Sequence, residues 1–309
     1  MFKSNTNRII FFGSFEFAVP TLGALARPVR GTDSNGVKAG YEIIAVVTNS
    51  DKPSGRQKML TPPPVKIAAT KLSIAVWQPK NLKIENLNLI ENWKLKIENC
   101  DLGVVVGYNK IIPPEIFNLP RYGMLNIHPS LLPKYRGPSP VQTAILNGDN
   151  ETGVTIMQLA KGVDDGDIIA QKAYALSPTS TSEQAHSELF NLGTDLLIKI
   201  LPDYLTGKIK PQPQDDTKAT YTHKFTTKDG EIKNTDTPEQ AYNKIRAFNP
   251  EPGAYIWLKE REKKLRLKIL ETELANGQLK LRRVQLEGGR SMNINEFLAG
   301  HPNFKENLL

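Results

Sequence analysis

The chain has 309 residues, enough for one large or two ordinary domains with an ample core. Its 39% hydrophobic content excludes a disordered chain, and its formal net charge of +8 makes polyanionic partners reasonable without dictating a fold. One cysteine, Cys100, excludes an intrachain disulfide and fits a reducing cytoplasm, and no apolar run approaches the ~20 residues of a membrane span.

The opening, MFKSNTNRIIFFGS, has too short an apolar run for a signal peptide, so a cytoplasmic location is expected. Arg8 to Phe12 reads as a strand ending at Gly13, followed by a helix-like segment with Phe17, Leu22 and Leu25. Further apolar runs fall at 42–48, 74–77, 102–107 and 123–128. Continuous runs of this kind suit strands covered on both faces, as in a parallel α/β sheet. Cys100 precedes the run from Leu102 to Val106 and reads as an inert, partly buried thiol. Segments 152–160 and 167–176 alternate and read as antiparallel additions. Residues 180–205 read as a long helix with a serine or threonine cap, its Leu189, Leu192, Leu196 and Ile200 at helical spacing, disturbed or ended by Pro202. The polar, proline-bearing stretch 207–226 reads as a linker between a domain at 1–206 and another at 227–309. In the latter, 237–250 is a helix with Thr237 as N-cap and Gln240 completing a capping box. Short alternating strands then point to a small β-barrel.

Three segments carry chemistry. In LNIHPSLLPKYRG, Asn126 and His128 lie two residues apart on a strand and share a face. Ligands of open α/β sheets bind outside the carboxyl ends of strands, where His128 falls. In KGVDDGDII, Asp164, Asp165 and Asp167 mark a tight acidic loop, one member of which is expected to pair with His128 and fix its tautomer. EF-hand spacing is absent. The long segment 48–69 carries Lys52, Arg56 and Lys58 near Gly55, and loops of that length in compact domains tend to be functional. His186, read as lying on a helix surface, and His223 and His301 are scattered without metal-ligand spacing, so no metal is expected and they receive no role. Gly13 is not followed by a G-x-x-G pattern, which weakens a dinucleotide reading.

Together these segments resemble the methionyl-tRNA formyltransferase family of folate-dependent formyltransferases, in order and over nearly the whole chain. NIHPSLLPKYRG is similar to the folate formyltransferase signature. FFGSFEFAVPTL, DKPSGRQKMLTPPPVK, GVTIMQLAKGVDDGDII and RAFNPEPGAY resemble further family segments. The resemblance implies a Rossmann-like, mostly parallel sheet for the first domain and a small OB-like β-barrel for the second. It implies 10-formyltetrahydrofolate as co-substrate, initiator methionyl-tRNA as acceptor, a monomer and no metal. The catalytic residues fall on Asn126, His128 and Asp164, the last chosen over Asp165 because Val163-Asp164 matches the family pattern. The folate end is placed by resemblance on Lys110, Ile111 and Ile112, with Ser130, Leu131, Leu132 and Pro133 along the same wall. Arg136 and Gly137 belong to the signature. Lys52, Arg56 and Lys58 would enter the tRNA acceptor end. Lys264, Arg266 and Lys268 alternate with Leu265, Leu267 and Ile269, placing a basic face opposite an apolar one, as expected of a strand lying on phosphates.

Two departures stand out. Ser14-Phe15-Glu16 replaces a family Thr-Pro-Asp, and Asn109, a residue that tolerates a left-handed backbone better than most, stands where the family carries glycine. Sugar-nucleotide N-formyltransferases keep a similar two-part layout and form the alternative. The basic loop and the basic strand favour tRNA. An RNA-binding module on a dead scaffold is disfavoured by the intact Asn126, His128 and Asp164.

Overall fold

The computed structural model describes residues 6–27, 40–54, 59–82, 93–260, 263–302 and 304. The chain divides into two compact units. The first takes residues up to Arg136 with Gly153–Tyr174 and Ser187–Thr220. The second takes Gly137–Thr152, Ala175–His186 and the residues from Tyr221 onward.

The first unit is built on β1 (Asn7–Gly13), α1 (Val19–Ala26), β2 (Tyr41–Val47), a short hairpin of β3 (Lys52–Ser54) and β4 (Met59–Thr61), α2 (Pro64–Lys71), β5 (Val76–Trp77), α3 (Trp93–Glu98), β6 (Leu102–Val106), α4 (Pro114–Phe117) and β7 (Met124–His128). In chain order the next elements are α5 (Pro140–Leu146), β8 (Glu151–Gln158), β9 (Ile168–Ala175) and α6 (Ser182–Leu205). The main sheet runs β5-β2-β1-β6-β7-β8-β9; the first five strands pair in parallel and β8 pairs antiparallel to β7. Strand alternation explains why it is buried on both sides. Ile9, Phe11, Val46, Val104, Leu125 and Ile127 enter one core, while Ile10, Phe12, Ala45, Val47, Val105 and Met124 enter the other. Chain order reverses on either side of β1, between β2 and β6, so the carboxyl ends of β1 and β6 form a switch-point crevice.

Several local expectations change here. The 48–69 segment is no plain loop: β3 and β4 pair Lys52 with Thr61 and Pro53 with Leu60, and α2 follows. Residues 55–58 lie outside the described residues, so Arg56 and Lys58 are not placed. α6 runs through Pro202 to Leu205 rather than stopping at it. Its start has the expected polar cap, with Thr181 N–H donating to Gln184 Oε1 at 3.0 Å. The stretch read as a linker is tied to the first unit as far as Thr220: Gln212 and Ile168 exchange backbone hydrogen bonds of 2.7 and 2.8 Å.

The second unit contains α5, α7 (Pro238–Phe248), β10 (Tyr255–Glu260), β11 (Lys263–Ala275), β12 (Gln278–Leu286), β13 (Ser291–Asn293) and α8 (Ile294–Gly300). The strands form a four-stranded antiparallel sheet in chain order, a small β domain of the expected class. Thr237 and Gln240 close the capping box at the start of α7, with bonds of 3.2 and 2.8 Å. Leu267, Ile269, Leu281, Val284, Ala241, Ile245 and Phe297 share the core between helix and sheet.

Candidate active site

β7 ends at His128, and its alternation puts Met124, Asn126 and His128 on one side. Met124 packs into the core below, Asn126 is half-buried, and His128 is 4% exposed. Both ring nitrogens of His128 face partners. Nε2 lies 3.0 Å from the Tyr135 carbonyl oxygen, and Nδ1 lies 3.6 Å from Asp164 Oδ2. A carbonyl only accepts, so Nε2 carries a proton. The three aspartates of the acidic loop are thereby separated: Asp164 faces the histidine, whereas Asp165 is exposed.

The backbone around both partners is unusual. Tyr135 has φ +64° and Asp164 has φ +48°, left-handed conformations that cost non-glycine residues on the order of 1–3 kcal/mol each. Neighbouring bonds hold them. Tyr135 N–H donates to Thr220 Oγ1 and Arg136 N–H to Thr220 O, both at 2.8 Å. Arg136, 2% exposed, donates from Nε and Nη2 to Gln214 Oε1 and from Nη2 to Asp216 Oδ1. Gly166 is required beside the acidic loop because a Cβ there would overlap the Gln158 carbonyl oxygen.

The turn after His128 is braced from beneath. Thr155 pairs with His128 across β7 and β8 and is fully buried. Its hydroxyl donates to Ser130 O at 2.6 Å and accepts from Leu132 N–H at 3.1 Å. Ser130 is also fully buried, with its hydroxyl donating to Lys134 O at 2.6 Å, so it holds the turn from inside. Leu131 packs over Gly153; Leu132 is 3% exposed and Pro133 half-buried.

A second polar group lines the ends of β1, β2 and β6. Ser14 Oγ accepts from Thr48 Oγ1 and from Asn49 N–H, and Asn49 Nδ2 donates to Asn109 Oδ1 at 2.8 Å. Asn109 thus serves through its side chain. The left-handed residue of this loop is Gly107, at φ +55°, where a Cβ would also overlap the Phe17 ring. Sequence reasoning missed Asp51, Lys66 and Gln78. Lys66 Nζ lies 2.8 Å from Asp51 Oδ2, and Gln78 Nε2 donates to Asp51 Oδ1 at 2.7 Å. These hydrogen bonds, Gln78's first, hold the Asp51 carboxyl below its ordinary range. Lys110 Nζ donates to the Pro79 carbonyl at 2.5 Å. Partial burial, then repulsion from Lys52, lowers its pKa, which links the β3 strand electrostatically to this loop. Ile111 is 89% exposed and Ile112 half-buried against the core. His186 is half-buried rather than on the surface, with Nδ1 donating to Ser182 O at 2.7 Å.

In the second unit, β11 shows the expected alternation, with Leu267 and Ile269 inward. Its opposite face combines cations and rings: Lys264 Nζ stands 4.6 Å from the Trp257 ring centre, and Arg266 pairs with Glu287 at 2.7 Å. Lys268 lies opposite Tyr255 in register.

An Asn-x-His strand end at the carboxyl edge of a parallel sheet, its histidine facing a carboxylate, is a candidate site for group transfer. The sequence matches the formyl transferase model over residues 8–201 and the formyl transferase C-terminal domain model over 224–278; the chain belongs to the formyl transferase family. Its curated relatives are methionyl-tRNA formyltransferases. That of Chloroflexus aurantiacus (strain J-10-fl) is 44% identical over 81% of this chain and 76% of its own. That of Halorhodospira halophila is 36% identical over 95% of this chain and 96% of its own. By structure, the chain is similar to the N-formyltransferase from Helicobacter canadensis, solved with folinic acid and dTDP-3-aminofucose. The TM-score is 0.60 at 20% identity, over 88% of this chain and 89% of that one, and this likeness is one of fold alone.

Proposed function

We propose that this chain transfers the formyl group of 10-formyltetrahydrofolate to the amino group of initiator methionyl-tRNA, as a cytoplasmic monomer without a metal. Asn126, His128 and Asp164 are its catalytic centre. The observation that carries the reading is His128, which ends β7 beside Asn126 and faces Asp164 Oδ2 across 3.6 Å.

The donor supplies an electrophilic formyl carbon, which the amine attacks as the bond to N10 breaks. Asn126 donates its amide N–H to the oxygen that gains charge, a contribution of about 3 kcal/mol for one well-placed donor. His128, with Nε2–H committed to Tyr135, acts through Nδ1, and the Asp164 carboxylate orients that nitrogen. The amine must lose a proton and N10 must gain one, a transfer that an imidazole beside the reacting atoms can relay.

The folate end is assigned to Lys110, Ile111 and Ile112 with Leu131, Leu132 and Pro133, Ser130 bracing the turn behind them. The exposed Ile111 side chain fits this role, since an apolar residue at a sheet's carboxyl edge can pack on a flat ring. Lys52, Arg56 and Lys58 are assigned to the tRNA acceptor end and Lys264, Arg266 and Lys268 to its backbone. The catalytic role is assigned to residues 1–206 and tRNA binding to 227–309, the stretch between them being tied to the first unit as far as Thr220.

The test is formyl transfer from 10-formyltetrahydrofolate to initiator methionyl-tRNA or to an amino-sugar nucleotide, in wild type and His128→Ala. Transfer to tRNA that collapses in the variant is expected. Transfer only to the sugar would move the chain to the sugar-modifying branch, and transfer to neither would refute the enzymatic reading.

A further inference from the structure

We infer that Gln214 is a positioning residue for the formyl-transfer centre, a single carboxamide that joins the backbone of the acidic loop on one side of His128 to the Arg136 guanidinium on the other. Its Nε2 donates to the carbonyl oxygens of Asp164 at 2.8 Å and Gly166 at 2.7 Å. Its Oε1 accepts from Arg136 Nε at 3.0 Å and Nη2 at 2.8 Å. Both donors and both acceptor positions of the amide are therefore used, and its orientation is unambiguous because a guanidinium only donates and a carbonyl only accepts.

What Gln214 joins gives it its role. Asp164 supplies the carboxylate facing Nδ1. Arg136 follows Tyr135, whose carbonyl binds Nε2. Each partner of the imidazole thus sits in a left-handed backbone that the chain would leave if released; Gln214 bonds the backbone of Asp164 directly and reaches Tyr135 through the side chain of its neighbour Arg136. Thr220 completes the hold on the Tyr135 side through its hydroxyl and carbonyl. Gln214 bonds none of the catalytic side chains and acts through the backbone carbonyls of Asp164 and Gly166 and the guanidinium of Arg136. Supporting bonds of this kind fix the rotamer and direction of a catalytic group, and a misplacement of about 1 Å costs roughly 100-fold in rate.

The inference rests on the reading of His128 and Asp164 as catalytic, and the experiment separates the two. Gln214→Glu, Gln214→Leu and His128→Ala are compared with wild type in the full chain. The readouts are kcat, KM for tRNA and for folate, thermal midpoint, and the imidazole 15N resonances of His128. Gln214→Glu keeps an acceptor for Arg136 but loses both N–H donors to the acidic loop; Gln214→Leu loses every bond. Both variants should lose kcat by roughly 100-fold while each KM stays within about two-fold. In Gln214→Glu the Nδ1 resonance should move while Nε2 keeps its bonded position; in Gln214→Leu both should move. Wild-type kcat in both variants, with His128→Ala inactive, refutes the positioning role and leaves the catalytic centre standing. An active His128→Ala overturns the catalytic centre and the positioning role with it. Loss of kcat that tracks only a lowered thermal midpoint, with both resonances unmoved, also refutes positioning.

Discussion

Replacing Thr155 by valine tests whether the turn after His128 is held from beneath. The residue is fully buried directly opposite His128, and valine matches its shape, so the change removes a hydroxyl and little else. The Oγ1 atom donates to Ser130 O and accepts from Leu132 N–H and from Gln171 Nε2. Gln171 keeps its 2.8 Å bond to the Leu132 carbonyl, but Leu132 N–H and Ser130 C=O are stranded away from water. At about 2 kcal/mol for each stranded group, offset by about 1 kcal/mol for the added buried methyl, roughly 3 kcal/mol of stability is lost. For a unit of this size that lowers the thermal midpoint by about 6–12 °C. Differential scanning calorimetry of wild type, Thr155→Val and Thr155→Ser measures it. The serine variant keeps the hydroxyl and loses one methyl, at a cost of about 1 kcal/mol. If valine costs no more than serine, the hydroxyl is not the brace and the reasoning fails.

Three further outcomes follow from the same geometry. Cys100 is 3% exposed and burial pushes its thiol up to about 12, so at about pH 8 the native protein should resist an aromatic disulfide reagent and react once denatured; rapid native labelling would contradict this. Burial holds His186 below its ordinary 6.5, so the unfolded chain takes up the proton first on acidification. The His186 contribution to stability is present above 6.5 and lost as pH falls from there through the lower folded value; His186→Gln should flatten the midpoint-against-pH curve in that window, and equal slopes would refute it. On β11, each tRNA phosphate that a substitution leaves without its cation should make the salt dependence of affinity shallower by about 0.9 in log–log slope. Since Arg266 already pairs with Glu287, Lys268→Ala should change the slope more than Arg266→Ala, and a flat salt response throughout would remove this face from tRNA binding.

Local periodicity carried much of the architecture. A period of two placed Asn126 and His128 on one face and put Lys264, Arg266 and Lys268 opposite Leu267 and Ile269. A Thr-x-x-Gln spacing marked the start of α7. These features depend on residues within one turn or one strand, so a short window contains their cause. The choice of Asp164 over Asp165 and Asp167 was of another kind: it came from the family resemblance and not from any local period, and a distant histidine facing Asp164 is its physical counterpart. Asn109 could tolerate a left-handed backbone, but Gly107 takes that conformation and Asn109 bonds Asn49, sixty residues earlier in the chain. The helix read over 180–205 left open whether Pro202 disturbs or ends it; α6 continues through Pro202 to Leu205, its buried Leu201, Tyr204 and Leu205 packed into the core. Gln214 lies in PQPQDD, whose composition says only that it is polar and poor in core residues. Its role comes from carbonyls about fifty residues away and a guanidinium nearly eighty away. The sequence alone determined which faces are apolar, where strands end and which residue types could do the chemistry. Only the tertiary structure decided which of those residues meet, because hydrogen bonds between distant segments leave no period in the chain.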